Sequence, residues 1–155
     1  MGVFKLQLED FNTANFELIA IHTTLEITKL AFLLNKNLNT KFRYFGAIDK
    51  KEKKNTGSFT RYEYENIENE IFWNLFENKT LINNTNEKDS LLNQFAQIMY
   101  LLPEYKQVDF IIKIEAENQK SDISKTIKNI LKIKNISMSY ILDTNKIKTK
   151  SNLIF

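Results

Sequence analysis

Residues 101–116 read LLPEYKQVDFIIKIEA. The stretch holds Pro103, the only proline of the chain. A residue that precedes proline avoids helical backbone angles, so Leu102 is predicted to be extended. From Gln107 onward apolar and polar residues alternate. Val108, Phe110, Ile112 and Ile114 fall on one face, and Asp109, Ile111, Lys113 and Glu115 on the other. A period of two over this length predicts a strand over 107–116. Downstream, Ser121 or Asp122 is placed to cap a helix whose buried face carries Ile123, Ile127, Ile130 and Leu131. ISMSYILD (136–143) then reads as another strand. A strand, a helix and a strand over so short a span predict a right-handed parallel crossover.

Upstream, LLNQFAQIMYLL (91–102) reads as a short helix ended by Pro103, and NNTNEKDS (83–90) as a polar loop. Residues 83–102 are therefore expected to be an irregular or partly helical insertion. Ser58 to Leu81 reads as a hairpin. In its first strand Phe59, Arg61, Glu63 and Glu65 share one face, and Thr60, Tyr62 and Tyr64 the other. KFRYFGAI (41–48) is a further strand, and KKEKKNTG (50–57) a charged turn and solvated loop. FELIAIH (16–22) is a buried strand. TTLE follows, with Thr23 and Glu26 at capping-box spacing, and Ile27, Leu30, Ala31, Leu34 and Leu38 mark a helix over about 24–37. The order is βαβ, hairpin, βαβ. It predicts one α+β domain over 1–155, a two-layer sandwich with a mixed sheet and two main helices on one face, in the element order of ferredoxin-like or ACT-like domains.

Composition narrows the function classes. The 12 Phe and 6 Tyr supply a core, and the absence of cysteine excludes disulfides and thiolate chemistry. No apolar run approaches the roughly 20 residues that span a bilayer. MGVFKLQLED lacks the apolar centre of a signal peptide. The expectation is a cytoplasmic protein without membrane partners. The net charge of +3 comes from lysine, since Arg43 and Arg61 are the only arginines. Few arginines disfavour sequence-specific reading of bases.

Leu102-Pro103-Glu104, three residues, then Val108-Asp109-Phe110 resembles the motif that names the IPExxxVDY family of bacterial proteins. Leu102 stands where the family name has Ile, and Phe110 where it has Tyr. FELIAIHT (16–23) and TNKIKTKSNLIF (144–155) are similar as well, so the resemblance spans most of the chain. It brings with it no assigned activity, catalytic residue or cofactor.

The candidate residues have competing readings. Glu104 and Asp109 either anchor local hydrogen bonds or form an acid–base pair. Five residues of extended chain separate them by roughly 17 Å, which favours the structural reading of the whole motif. His22, the only histidine, ends the first strand at a helix start. One histidine without cysteine makes no histidine-rich metal site, no catalytic residue is assigned, and no glycine-rich motif signals a cofactor. Lys125, Lys128 and Lys132 lie opposite the isoleucine stripe, as a solvated helix face or an RNA footprint. Tyr62, Tyr64 and Trp73 stand among glutamates that would repel phosphate, so core packing or a protein interface fits them better. Leu153, Ile154 and Phe155 pack on the chain itself, on a second copy, or in a partner that reads the carboxylate. The leading expectation is a non-enzymatic accessory protein that binds a protein partner or a second copy of itself. The alternative is an RNA-associated factor. An ACT-like small-molecule sensor is a third reading, and an enzyme built on Glu104, Asp109 and His22 a fourth.

Overall fold

A computed structural model describes residues 16–82, 97–116 and 122–155. Their elements are β1 (Phe16–Thr23), α1 (Ile27–Leu38), β2 (Arg43–Glu52), β3 (Asn55–Asn66), β4 (Ile71–Glu77), β5 (Lys79–Ile82), β6 (Gln97–Tyr100), β7 (Phe110–Ala116), α2 (Ile123–Leu131) and β8 (Ile136–Ile141). Short 3-10 turns cover Pro103–Tyr105, Thr144–Lys146 and Lys150–Leu153.

β7 occupies the middle of the fold because its sequence, FIIKIEA, is apolar on both faces. It pairs with β1 on one side and β4 on the other, in a six-stranded sheet of order β2-β3-β4-β7-β1-β8. Every neighbouring pair in this sheet runs antiparallel. The architecture is α+β, as the sequence predicts, but the sheet is not mixed. β7 and β8 run in the same direction without touching, because β1 lies between them and bonds both. The predicted crossover therefore steps over one strand.

Two cores form, one on each face. On the helix side Ile19, Ile21, Phe110, Ile112 and Ile114 meet Ile27, Leu30, Ala31 and Leu34 of α1 and Ile130 of α2. Both helices share this face, as expected. On the other side Leu18, Ala20, Phe59, Phe76 and Ile111 are covered by Ile82, Met99, Leu101, Leu102, Leu142, Ile147 and Leu153. The second face thus carries a partial third layer: the β5–β6 ribbon, the turn after it and the C-terminal segment.

Several local expectations are corrected. Where the described residues resume within the expected insertion, 97–100 form β6, paired with β5. Pairing across the ribbon overrides helical periodicity there. The loop 83–90 and Ser121 lie outside the described residues. In the lysine-rich run at 50–57 the expected turn is confined to Lys53 and Lys54, and the rest is strand, since β2 and β3 stay paired down to Glu52 and Asn55. β2 is an edge strand, and its charges do not break the ladder: Lys51 and Glu52 are exposed, while Lys50 Nζ donates to Tyr100 O at 2.9 Å. The capping box does not form: Glu26 makes no side-chain cap, and α1 starts at Ile27. Asp122 does cap α2, accepting from the Lys125 amide at 3.1 Å. Leu131 is exposed rather than buried. Val108 belongs to the core opposite Phe110, because strand alternation begins only at Phe110.

The ribbon lies close on β3 at Gly57. A Cβ there would stand 2.6 Å from Met99 Sδ and 2.9 Å from Thr80 Cγ2. Gly57→Ala is expected to lower the unfolding free energy by about 1–3 kcal/mol, the usual cost of overpacking. Urea titration of the purified variant checks this.

Candidate functional site

The run EIFWNLFENKTLI (70–82) reads as one strand in sequence, but Asn78 divides it into β4 and β5. Asn78 is fully buried. Its Nδ2 donates to Tyr105 O at 2.8 Å and to Val108 O at 3.0 Å. Its Oδ1 accepts from the Leu102 amide at 2.8 Å. Its own amide donates to Asp109 O, and its carbonyl accepts from the Leu101 amide. A buried polar side chain is tolerated only when its groups are paired, and here one carboxamide takes up three main-chain groups of the loop 102–108. No motif pointed to Asn78. The available signal was a small polar residue interrupting an aromatic strand.

The motif residues then act at long range. Pro103 opens a 3-10 turn after an extended Leu102 (φ −113°, ψ 92°). Glu104 Oε1 accepts from the Lys148 and Thr149 amides at 2.9 and 3.0 Å, and Oε2 from the Thr149 hydroxyl at 2.9 Å. It holds the segment that carries Leu153 against the sheet. Asp109 Oδ2 accepts from the Thr23 amide at 3.0 Å, and Oδ1 pairs with Lys79 Nζ at 3.0 Å. The two carboxylates serve different segments and do not form a dyad.

Asp109 and His22 do line one cleft of about 520 Å³, with Thr23, Thr24, Lys134, Asn135 and Ser137. Glu104 is not part of it. The cleft's groups are largely committed. His22 Nε2 bonds the Tyr140 hydroxyl at 2.9 Å. The Thr23 hydroxyl donates to Asn135 O, and the Ser137 hydroxyl to His22 O. A hydroxyl that donates to a carbonyl is not activated by a base. Among the described residues no group of three or more His, Cys, Asp or Glu could hold a metal ion.

The remaining candidates separate into packed and exposed sets. Tyr62, Tyr64 and Trp73 are partly buried against the helix-side core, and the Tyr62 hydroxyl meets Thr28 Oγ1 at 3.1 Å. Two aromatics of β2 are exposed, Tyr44 at 66% beside Tyr62 and Phe45 at 55% against Arg61. Phe45 occupies a bulge beside Gly46, whose φ of 139° suits glycine. Leu153 is buried in its own chain, while Ile154 is 63% exposed. The Phe155 ring packs on Phe76 and lies under both Arg61 and Lys113, whose Nζ also donates to Leu153 O. Arg61 is further stacked on Phe45, 4.1 Å from guanidinium carbon to ring centroid. Burial pulls its pKa down, and Glu63 opposes that shift. Arg43 pairs with the same Glu63 at 3.3 Å. Both arginines are therefore engaged within the chain. Lys125, Lys128 and Lys132 are exposed.

No protein-family model, no curated protein and no solved structure matches the chain.

Asn78→Ala leaves the Leu102 amide and the Tyr105 and Val108 carbonyls without their partner, and is expected to cost roughly 3–6 kcal/mol. Asn78→Asp, nearly isosteric, sets a carboxylate against two carbonyls and is expected to destabilise the protein as well. Chemical denaturation of both variants tests this.

The pKa of Glu104 is lowered. Burial alone would raise it, but hydrogen bonds from its own amide, the Thr149 hydroxyl and the Lys148 and Thr149 amides outweigh burial. A lowered value means that its stabilisation is complete above the ordinary carboxylate range and is lost as pH falls through the lowered value. Glu104→Gln is expected to be less stable than the parent at neutral pH, with the gap closing in acid. Denaturation midpoints across pH check the sign.

Proposed function

We propose that this protein is a non-enzymatic accessory protein that works through protein–protein contact. One observation carries the reading: the polar groups of the His22–Asp109 cleft are spent on the main chain and on neighbouring side chains, while large apolar side chains stay in water. Tyr44 and Phe45 on the β2 side, with Phe32 on α1, are exposed. Aromatics of this kind are the residues that bind protein partners. The resemblance to the IPExxxVDY family belongs to the same reading, with Leu102, Pro103, Glu104, Val108, Asp109 and Phe110 as architecture rather than chemistry. The ferredoxin- or ACT-like arrangement is also part of it. It is supported by the order β8-β1-β7-β4 with helices after β1 and β7, β2 and β3 extending the sheet at one side. The cytoplasm is the proposed compartment, on the lack of cysteine. No helix among the described residues is long and apolar enough to cross a membrane.

A second reading, RNA association through α2, rests on the exposure of Lys125, Lys128 and Lys132. Affinity capture of tagged protein from lysate, with and without nuclease, separates the two. The accessory reading expects a protein catch that survives nuclease and is lost in Tyr44→Ala/Phe45→Ala. A catch lost on nuclease treatment, and lost again when all three lysines become Glu, would overturn it in favour of RNA.

A further inference from the structure

The two edges of the six-stranded sheet differ. β2 carries Arg43, Asp49, Lys50, Lys51 and Glu52 and is bulged at Phe45–Gly46. Charges and bulges are the devices by which sheet edges avoid further pairing. β8, at the other edge, reads ISMSYI: six residues with no charge, proline or glycine. No described strand pairs with its outer side.

The direction of its free groups follows from one hydrogen bond. The Leu142 amide donates to Leu18 O at 2.9 Å, towards β1. Main-chain groups alternate along a strand, so those of Tyr140 and Met138 also point to β1. Those of Ser139 and Ile141 point outward, whereas Ser137 lies at the register shift between Met138 and Ile136, where the alternation breaks. Met138 is 53% exposed and Ile141 48% exposed beside them. One further observation is independent of the edge: Ser139 Oγ is buried and has no hydrogen-bond partner. A buried hydroxyl left unpaired is unusual and calls for a missing partner.

We propose that β8 pairs antiparallel with β8 of a second copy of this chain about a two-fold axis at Ser139. It deepens, and rests on, the reading that the protein works through protein contact. The register sets Ser139 opposite Ser139 of the second copy, Ser137 opposite Ile141, and Met138 opposite Tyr140. Ser139 of each strand exchanges main-chain hydrogen bonds with its counterpart, and the outward groups of Ile141 continue the ladder. The orphaned Ser139 hydroxyl meets its own counterpart across the axis, a cross-strand hydroxyl pair of the kind that stabilises sheets. No like charges oppose each other within the paired strands. The result is an isologous interface, the same patch on both copies, and one continuous sheet through the dimer.

Light scattering during gel filtration, together with amide exchange followed by NMR, tests this on the full chain. The expected result is twice the 18.3 kDa chain mass, with the Ser139 and Ile141 amides slowed as concentration rises. Ser139→Pro removes an outward amide that β1 does not use, and is expected to halve the mass. Met138→Lys, on an exposed side chain, gives the same readout should the proline variant not fold. Ala47→Lys on the β2 edge is expected to leave the doubled mass unchanged. A single-chain mass at every concentration overturns the proposal. So does a dimer whose Ser139 and Ile141 amides exchange at solvent-exposed rates. A single-chain mass beside a nuclease-resistant catch that needs Tyr44 overturns the dimer while leaving the accessory reading intact.

Discussion

The side chain of Asn78 is the constraint on which much of this structure depends. Two strands in different sheets, a turn and the start of the central strand meet at one residue without contact with water. Left unpaired, the main-chain groups gathered there would each carry a desolvation cost. Paired by one carboxamide, they fix the path of residues 101–109. That path aims Glu104 at the C-terminal segment and Asp109 at the link between β1 and α1. Asn152 closes the far side, donating to Leu101 O at 2.9 Å. The loop therefore ties segments distant in sequence into the layer that covers the second face of the sheet.

Much of this was legible from residues alone. The alternation in β7, the apolar spacing of α1 and the Asp122 cap are local signals, and these were legible, whereas the Thr23–Glu26 capping box was not formed. The motif carboxylates were expected to anchor local hydrogen bonds, and the bonds they make reach remote segments instead. What could not be read was the pairing order. Nothing in FIIKIEA says that β1 will insert between it and β8, because both antiparallel and parallel neighbours satisfy an apolar strand. The strand at 97–100 was hidden for a related reason: QIMY takes its conformation from β5, not from its own periodicity. Asn78 was hidden because the value of a buried amide depends on what surrounds it.

The candidate site teaches the same lesson about chemistry. His22, Asp109 and Ser137 stand around one cleft, and a list of residue types would suggest catalysis. Following each donor and acceptor to its partner dissolves that suggestion, since Ser137 and Thr23 donate to carbonyls and Asp109 holds Thr23 and Lys79. On the proposed reading, surfaces carry the function. The exposed aromatics near β2 and the uncharged edge of β8 lie at opposite sides of the sheet, so one can serve a partner while the other serves a second copy. The Phe155 ring, held under Arg61 and Lys113, keeps the C-terminal segment on the molecule.

The central claim is that the Asn78-bound loop is as firmly held as the sheet. Native-state hydrogen exchange of the parent protein measures this most directly, comparing the Leu102 amide with the β7 amide of Ile112. The account predicts that both open only with global unfolding and share one free energy of exchange. A Leu102 amide that exchanges through a separate, lower-energy opening while Ile112 stays protected would contradict it.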